Sequence, residues 1–141
     1  MSEQAVRDAF GDQAVLCEGL GSPLTGHLCS LFASLLDETT QTGRLCLNWQ
    51  GHPSSGADNV PLRLCGGLHS LVLSGADETL AAAYYSGTSG VTPEVLRHII
   101  DCHDRYLSNF MASPPQTNEV ARAAALWPCQ MAVSAHEALP H

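Results

Sequence analysis

Apolar residues in the first third of the chain recur at intervals of three and four, which is the period of an amphipathic helix. Within residues 3–20 they stand at Val6, Phe10, Ala14, Cys17 and Leu20. A second helix is predicted over residues 23–37, because its leucines form one broad stripe. Ser22 suits the N-cap of that helix, and Pro23 suits its first position.

The stretch from residue 39 to residue 59 is polar and glycine-rich, and the helical period is lost there. We expect a long mobile connection, with its most mobile part at residues 51–59. An apolar island, Leu-Cys-Leu-Asn-Trp, interrupts the stretch at residues 45–49. Its spacing fits a short helix and an extended segment equally well, so the pattern leaves both open.

A further helix is predicted over residues 60–74, where leucine and valine side chains share one face. Gly66 and Gly67 lie inside it, and each costs a helix about 1 kcal/mol relative to alanine. Such a pair indicates either close packing of another backbone or a ligand pressed against the helix. We favour close packing.

Two more helices are predicted before residue 112. A short alanine-rich helix begins at Asp77 and ends near Tyr85. Thr92 and Pro93 then provide an N-cap and a first helical residue for a helix that runs to about residue 111. Its apolar stripes hold Val95, Leu96, Ile99, Ile100, Cys102, His103, Tyr106, Leu107 and Phe110, and its solvated face holds Arg97, Asp101, Asp104 and Arg105.

The last predicted helix starts at about 114–117 and runs to residue 137, with Pro128 inside it. Proline removes a hydrogen bond and clashes with the preceding turn, so the helix either kinks there or breaks into two. No segment has the pattern of a strand, and no repeat is present. The sequence therefore predicts an all-α fold, an irregular helical bundle of five to seven helices in a single domain over residues 1–141.

The composition agrees with a folded domain and excludes several functions. The chain has 141 residues, 45% of them hydrophobic and 14% charged, which argues against disorder. Its net charge is −8 and all six basic residues are arginine, so no basic surface for nucleic acid is expected. Chemistry that needs lysine is excluded too. No apolar run is long enough to cross a membrane.

The first residues are polar and acidic and do not resemble a signal peptide, so we expect a cytoplasmic protein. Six cysteines stand at positions 17, 29, 46, 65, 102 and 129, without a Cys-x-x-Cys pair. We therefore expect reduced and mostly buried thiols.

Motifs for metal binding and catalysis are weak. His98 and Cys102 are four residues apart and could share an ion, but His98 lies on the solvated face and no second pair completes a site. The chain has no Gly-x-Ser-x-Gly elbow and no phosphate-binding loop. We therefore expect no metal site and no cofactor in this chain, and no catalytic residue is assigned.

Two groups of residues are candidates for ligand binding. The first is a polar helix start formed by Gln116, Thr117, Asn118, Glu119 and Arg122. It fits an elaborate helix cap with an internal ion pair, and it equally fits a site where helix N–H groups attract an anion and charged side chains orient a polar ligand. The second is His69, at the edge of the apolar face of helix 60–74, where a packed, hydrogen-bonded histidine is favoured over a ligand-binding one.

Two stretches resemble a bacterial family of uncharacterised proteins, domain of unknown function 2332. They read PLRLCGGLHSLVLSG at 61–75 and PPQTNEVARAAALWP at 114–128, with further similarity at GSPL and CHD. The resemblance covers nearly the whole chain, as the N-terminal helical region of longer members. It implies that characteristic motif positions fall at His69, Gln116, Thr117, Asn118, Glu119 and Arg122. Longer members continue into a glycine-rich motif similar to that of methyltransferases, which implies S-adenosylmethionine as a cofactor of those relatives.

Three functions remain open. The leading hypothesis is a cap or ligand-recognition domain of a longer methyltransferase-like protein, which binds a small polar ligand and packs against a C-terminal domain. The alternative is a free-standing interaction module that forms a homo-oligomer, because the low charged fraction leaves larger apolar patches. The third is a small enzyme in which His69 or His103 and Glu119 act as acid and base.

Overall fold

The structure is a computed structural model and describes residues 3–50 and 59–112. Within these two ranges all regular elements are helical, which confirms the all-α bundle. A short 3-10 helix follows the fifth α-helix, at Gly87–Ser89. The α-helices are α1 (Glu3–Gly19), α2 (Pro23–Leu35), α3 (Gln41–Leu47), α4 (Val60–Ser74), α5 (Glu78–Tyr85), α6 (Pro93–Cys102) and α7 (Asp104–Ala112).

All seven helices contribute buried apolar side chains to one core, and α4 has more buried residues than any other described helix. Helices α1 and α2 form the most extensive pair. Their backbones can approach because residue 26 is glycine: a Cβ atom there would lie 2.9 Å from the carbonyl oxygen of Ala14. Beside this crossing, the rings of Phe10 and Phe32 pack edge to face, with centroids 5.9 Å apart.

Helix α4 follows its predicted bounds, and its glycine pair is buried. A Cβ atom on Gly67 would lie 3.1 Å from the ring of Phe110 and 3.3 Å from the side chain of Leu107. Gly67 therefore makes room for side chains of α7, and its close neighbour is not the other backbone that was predicted. The oxygen of the Asn59 side chain accepts a hydrogen bond from the Leu62 backbone and caps the start of the helix.

Helix α3 lies within the stretch that was predicted to be a connection. The Thr40 hydroxyl accepts a hydrogen bond from the Gly43 backbone and forms the N-cap. The Asp104 carboxylate, from the distant α7, accepts bonds from the backbone N–H groups of Gln41 and Thr42 at 2.9 and 2.8 Å. This cap comes from across the fold, so the local pattern could not reveal it. Residues 51–58 lie outside the described ranges.

The single helix predicted up to residue 111 was wrong, because α6 ends at Cys102 and α7 begins at Asp104. His103 lies between them, and its Nε2 atom is 2.8 Å from a carboxylate oxygen of Asp77. Asp104 was predicted to lie on the solvated face of that single helix, but its carboxylate caps α3. The stripe was wrong at Cys102 and Tyr106, whose side chains are exposed.

The C-terminal end of α2 is held by two arginines. Arg7 donates hydrogen bonds from α1 to the carbonyl oxygens of Ala33 and Leu36, at 2.8 and 2.7 Å. A helix end leaves such carbonyls without intrahelical partners, so these bonds satisfy groups that would otherwise need water. Ser22, at the other end of α2, takes the predicted N-cap position but makes no capping bond with its side chain.

Arg97 approaches the same end of α2 from α6. It donates to the carbonyl of Leu35 at 3.1 Å and to the carboxylate of Asp37 at 2.9 Å. Its Nε atom also lies 3.7 Å from the carboxylate of Asp101, one turn along α6. The assignment of Arg97 to a solvated face was therefore incomplete, because the residue joins α6 to α2. We call Arg7, Arg97 and Asp37 the α2 clamp.

Candidate functional site

The interior of the bundle brings together four side chains with distinct chemistry. Cys29 comes from α2, Cys65 and His69 come from consecutive turns of α4, and Tyr84 comes from α5. We call these four residues the α4 polar cluster. The Nδ1 atom of His69 and the hydroxyl of Tyr84 share a hydrogen bond, and the sulfur atoms of Cys29 and Cys65 lie 3.7 Å apart.

Rigid helices position the His69–Tyr84 pair. Asp77 caps α5 through a 2.9 Å bond from the backbone N–H of Leu80, and His103 fixes the other oxygen of that carboxylate. Tyr84 lies one turn after the buried Leu80, so its ring points towards α4. The His69 and Tyr84 rings meet edge to face, with centroids 5.0 Å apart and planes at 81°.

Burial keeps both members of the pair uncharged. It lowers the pKa of His69 to about 3, since the imidazolium form loses its hydration inside the bundle. Burial, with a smaller contribution from nearby Cys65, raises the pKa of Tyr84 well above its ordinary value. At pH values between the two pKa values both side chains are neutral, and one hydrogen bond joins them. An imidazole with this pKa is a poor acid or base near neutrality, so the geometry fits hydrogen bonding better than acid–base catalysis.

The structure describes one of the six predicted ligand residues. His69 is buried, with 2% of its surface exposed, and it contacts Tyr84. The other five predicted residues and Pro128 lie outside the described ranges: Gln116, Thr117, Asn118, Glu119 and Arg122. Sequence reasoning missed Tyr84. The available signal was its position four residues after Leu80, on the buried face of α5.

The remaining candidates for chemistry lie elsewhere. On the outside of α6, the Sγ atom of Cys102 is 3.4 Å from the Nε2 atom of His98. Within residues 3–50 and 59–112, no three histidine, cysteine or acidic side chains are close enough to hold one metal ion. His103, proposed above as an acid–base residue, is engaged with Asp77.

Two open hollows lie on the surface. One, of about 600 Å³, is lined mainly by polar side chains of α3 and α7, including Gln41, Arg44 and Asn48. The other, of about 530 Å³, lies along the crossing of α1 and α2 beside Val15. None of the described helices has both the length and the apolar character needed to cross a bilayer.

A comparison with known protein families gives one match, over residues 7–140. That family is described as "Uncharacterized protein conserved in bacteria (DUF2332)". No curated protein and no solved structure matches the chain.

Proposed function

Because the chain belongs to the bacterial family DUF2332, we propose that it is a helical ligand-recognition domain of that family. In this proposal it caps a longer methyltransferase-like protein, and His69 with Tyr84 forms the buried part of the site that recognises a small polar ligand. S-adenosylmethionine or its product is then the first ligand to test, as expected from the longer relatives.

The observation that carries the proposal is the uncharged His69–Tyr84 pair inside an apolar bundle. A buried hydrogen bond adds only about 1 kcal/mol of net stability, and two apolar side chains of the same shape would do nearly as well. The bond between His69 and Tyr84 caps no helix end. Ligand recognition gives these two polar groups a use that packing alone does not supply.

The chemistry of the pair limits what it can bind. Neither residue carries charge, so an ionic group brought against them would lose its hydration without gaining an opposite charge. The matching part of a ligand is a neutral hydrogen-bonding group such as an amide, a hydroxyl or a ring nitrogen. In the proposal, Gln116, Thr117, Asn118, Glu119 and Arg122 supply the contacts to charged or more polar parts of the ligand.

The test is a thermal-shift screen of the full chain against S-adenosylmethionine, S-adenosylhomocysteine, nucleotides, amino acids and divalent metals. A ligand at 100 times its Kd stabilises the folded state by about 2.7 kcal/mol, which raises the unfolding midpoint measurably. Any compound that does so is then titrated calorimetrically against Tyr84→Phe and against the neighbouring, exposed Tyr85→Phe.

We expect the Tyr84→Phe affinity to fall at least tenfold and the Tyr85→Phe affinity to stay unchanged. A compound that binds both variants as it binds the parent protein would place recognition away from the pair. A screen in which no compound raises the midpoint would contradict the ligand-recognition function itself.

A second candidate is self-association, which an apolar patch at the C-terminal end of α1 favours. The exposed fractions of Val15, Leu16 and Leu20 are 71%, 59% and 68%, and Val15 lines the hollow between α1 and α2. Sedimentation velocity over a range of concentrations tests it. A homo-oligomer would dissociate in Leu20→Glu but persist in Leu73→Glu, whose side chain is similarly exposed, at 66%, on α4. A monomer at every concentration would exclude this candidate.

We also propose a cytoplasmic location. Cys102 is an exposed thiol, and Cys29 and Cys46 are buried ones. Exposed thiols persist in reducing compartments, where glutathione and thioredoxin maintain them. Expression of the full-length protein followed by cell fractionation tests this location directly.

A further inference from the structure

We propose that Cys29 and Cys65 form a reversible disulfide, which makes the contact between α2 and α4 a site of thiol oxidation. The two sulfur atoms lie 3.7 Å apart, on helices that are distant in sequence. A disulfide bond is about 2.05 Å long, so the atoms must approach by less than 2 Å. Side-chain rotation with a small helix adjustment provides a movement of this size.

This pair differs from the other described cysteines. Cys46 lies on the buried face of α3, and burial raises the pKa of its thiol to about 12, which makes the reactive thiolate scarce. Cys102 is exposed, and its neighbour is His98. Cys17 is buried, and its sulfur accepts a hydrogen bond from the side-chain amide of Gln13. Among the described residues, Cys29 and Cys65 are the cysteines whose sulfur atoms contact each other.

Hydrogen peroxide is the oxidant that the geometry suits. Both cysteines are fully buried, which excludes bulky thiol reagents. Hydrogen peroxide, close to water in size, reaches them when the contact between α2 and α4 opens locally. One thiol sulfur attacks a peroxide oxygen, the O–O bond breaks, and a sulfenic acid and one water form. The second thiol then attacks the sulfenic sulfur, and the S–S bond forms as a second water leaves. Two thiols are oxidised and one peroxide is reduced to two waters.

The contact distance sets the outcome of the first step. A sulfenic acid that has no thiol beside it persists until further peroxide oxidises it to sulfinic acid. Here the second thiol is already in contact, so the disulfide forms before a bulky reagent or a second peroxide arrives. The crosslink also restricts the unfolded chain, and we expect the oxidised protein to have a higher unfolding midpoint than the reduced protein.

The experiment treats the full chain with hydrogen peroxide, blocks remaining thiols under denaturing conditions, and maps tryptic peptides without reduction. All six basic residues are arginine, so trypsin cuts only after arginine. A Cys29–Cys65 bond joins peptide 8–44 to peptide 64–97, lowers their summed mass by two hydrogens, and is reversed by dithiothreitol.

Matched variants assign the bond, because peptide 8–44 also contains Cys17. We expect the crosslinked peptide in the parent protein, in Cys17→Ala and in Cys102→Ser, and its loss in Cys29→Ala. Loss of the crosslink in Cys17→Ala, or its persistence in Cys29→Ala, would overturn the assignment. Sulfinic acid at Cys29 or Cys65, or no oxidation of either in the parent protein, would overturn the proposal without requiring any variant to fold.

Discussion

The α2 clamp and the α4 polar cluster use polar side chains in opposite ways. In the clamp, Arg7 and Arg97 approach the end of α2 from two sides and donate to backbone carbonyls that the helix leaves without partners. In the cluster, His69 and Tyr84 bond to each other inside the core, and this bond caps no helix end. The clamp follows from the needs of a helix, whereas the cluster does not.

The polar side chains of the clamp therefore have a structural role, whereas those of the cluster are candidates for a functional one. The Arg97 side chain keeps 31% of its surface exposed, so it retains part of its hydration while it bonds. His69 keeps 2%, and its protonated form is suppressed. Groups that lose hydration without serving the backbone are where a binding function is most reasonably sought. Substitutions in the two regions should therefore differ in effect, with the largest loss of stability in the cluster and the smallest in the clamp.

Tyr84→Phe has the largest expected effect on stability. The change removes the hydroxyl that bonds His69, and a buried polar group that loses its partner costs about 1–3 kcal/mol of unfolding free energy. Urea unfolding measures the loss. The neighbouring Tyr85 is 81% exposed, so Tyr85→Phe should change the free energy by less than about 0.5 kcal/mol. Equal losses in the two variants would show that the Tyr84 hydroxyl contributes no more to stability than an exposed hydroxyl does.

The pKa of His69 predicts a loss of stability in mild acid. Its value in the folded state is about 3, against an ordinary 6.5, so the unfolded chain binds more protons between these limits. Stability is therefore complete above pH 6.5 and falls below it, by about 2 kcal/mol at pH 5. Urea unfolding of the parent protein and of His69→Gln at pH 7.5 and pH 5 measures this.

His69→Gln should lose less stability than the parent protein over that pH range. The lowered pKa values of Asp37 and Asp77 do not interfere, because their stabilisation is lost only below their ordinary value of 3.8. Identical acid sensitivity in His69→Gln and the parent would show that His69 does not titrate as a buried group.

The Arg97–Asp37 pair of the clamp should show the smallest effect. Both side chains are partly exposed, and such ion pairs contribute about 0.2–1 kcal/mol. A double-mutant cycle with Arg97→Met and Asp37→Asn measures their coupling, which should decrease as salt is added. A coupling energy well above 1 kcal/mol that does not decrease with salt would show that Arg97 and Asp37 interact as a buried ion pair, which would contradict this expectation.

The fold was predictable wherever a helix is specified by its own residues. Helix α4 has a local cap in Asn59 and a regular apolar face, and its bounds were predicted correctly. Helix α3 and the break at His103 depend instead on Asp104 and Asp77, which bond across the fold. A periodicity of three or four residues contains no information about such bonds.

In the candidate site, too, the sequence predicted a residue with a local signal and missed the contact that joins two helices. His69 stood out because it interrupts an apolar face, but its partner lies 15 residues away on another helix. The spacing of Tyr84 from Leu80 indicates its face of α5, but its pairing with His69 became visible only once α4 and α5 were packed. The cluster from Gln116 to Arg122 lies outside the described residues, and its role stays a prediction.

The most direct measurement is a side-chain NMR titration of His69, with its resonances assigned by their loss in His69→Gln. The compound that most raises the unfolding midpoint is added to the full chain at neutral pH. We predict that the imidazole ¹⁵N and ring ¹H signals of His69 shift with ligand concentration, while those of the exposed His98 stay in place. Binding that leaves the His69 signals unchanged would contradict a recognition role for the His69–Tyr84 pair.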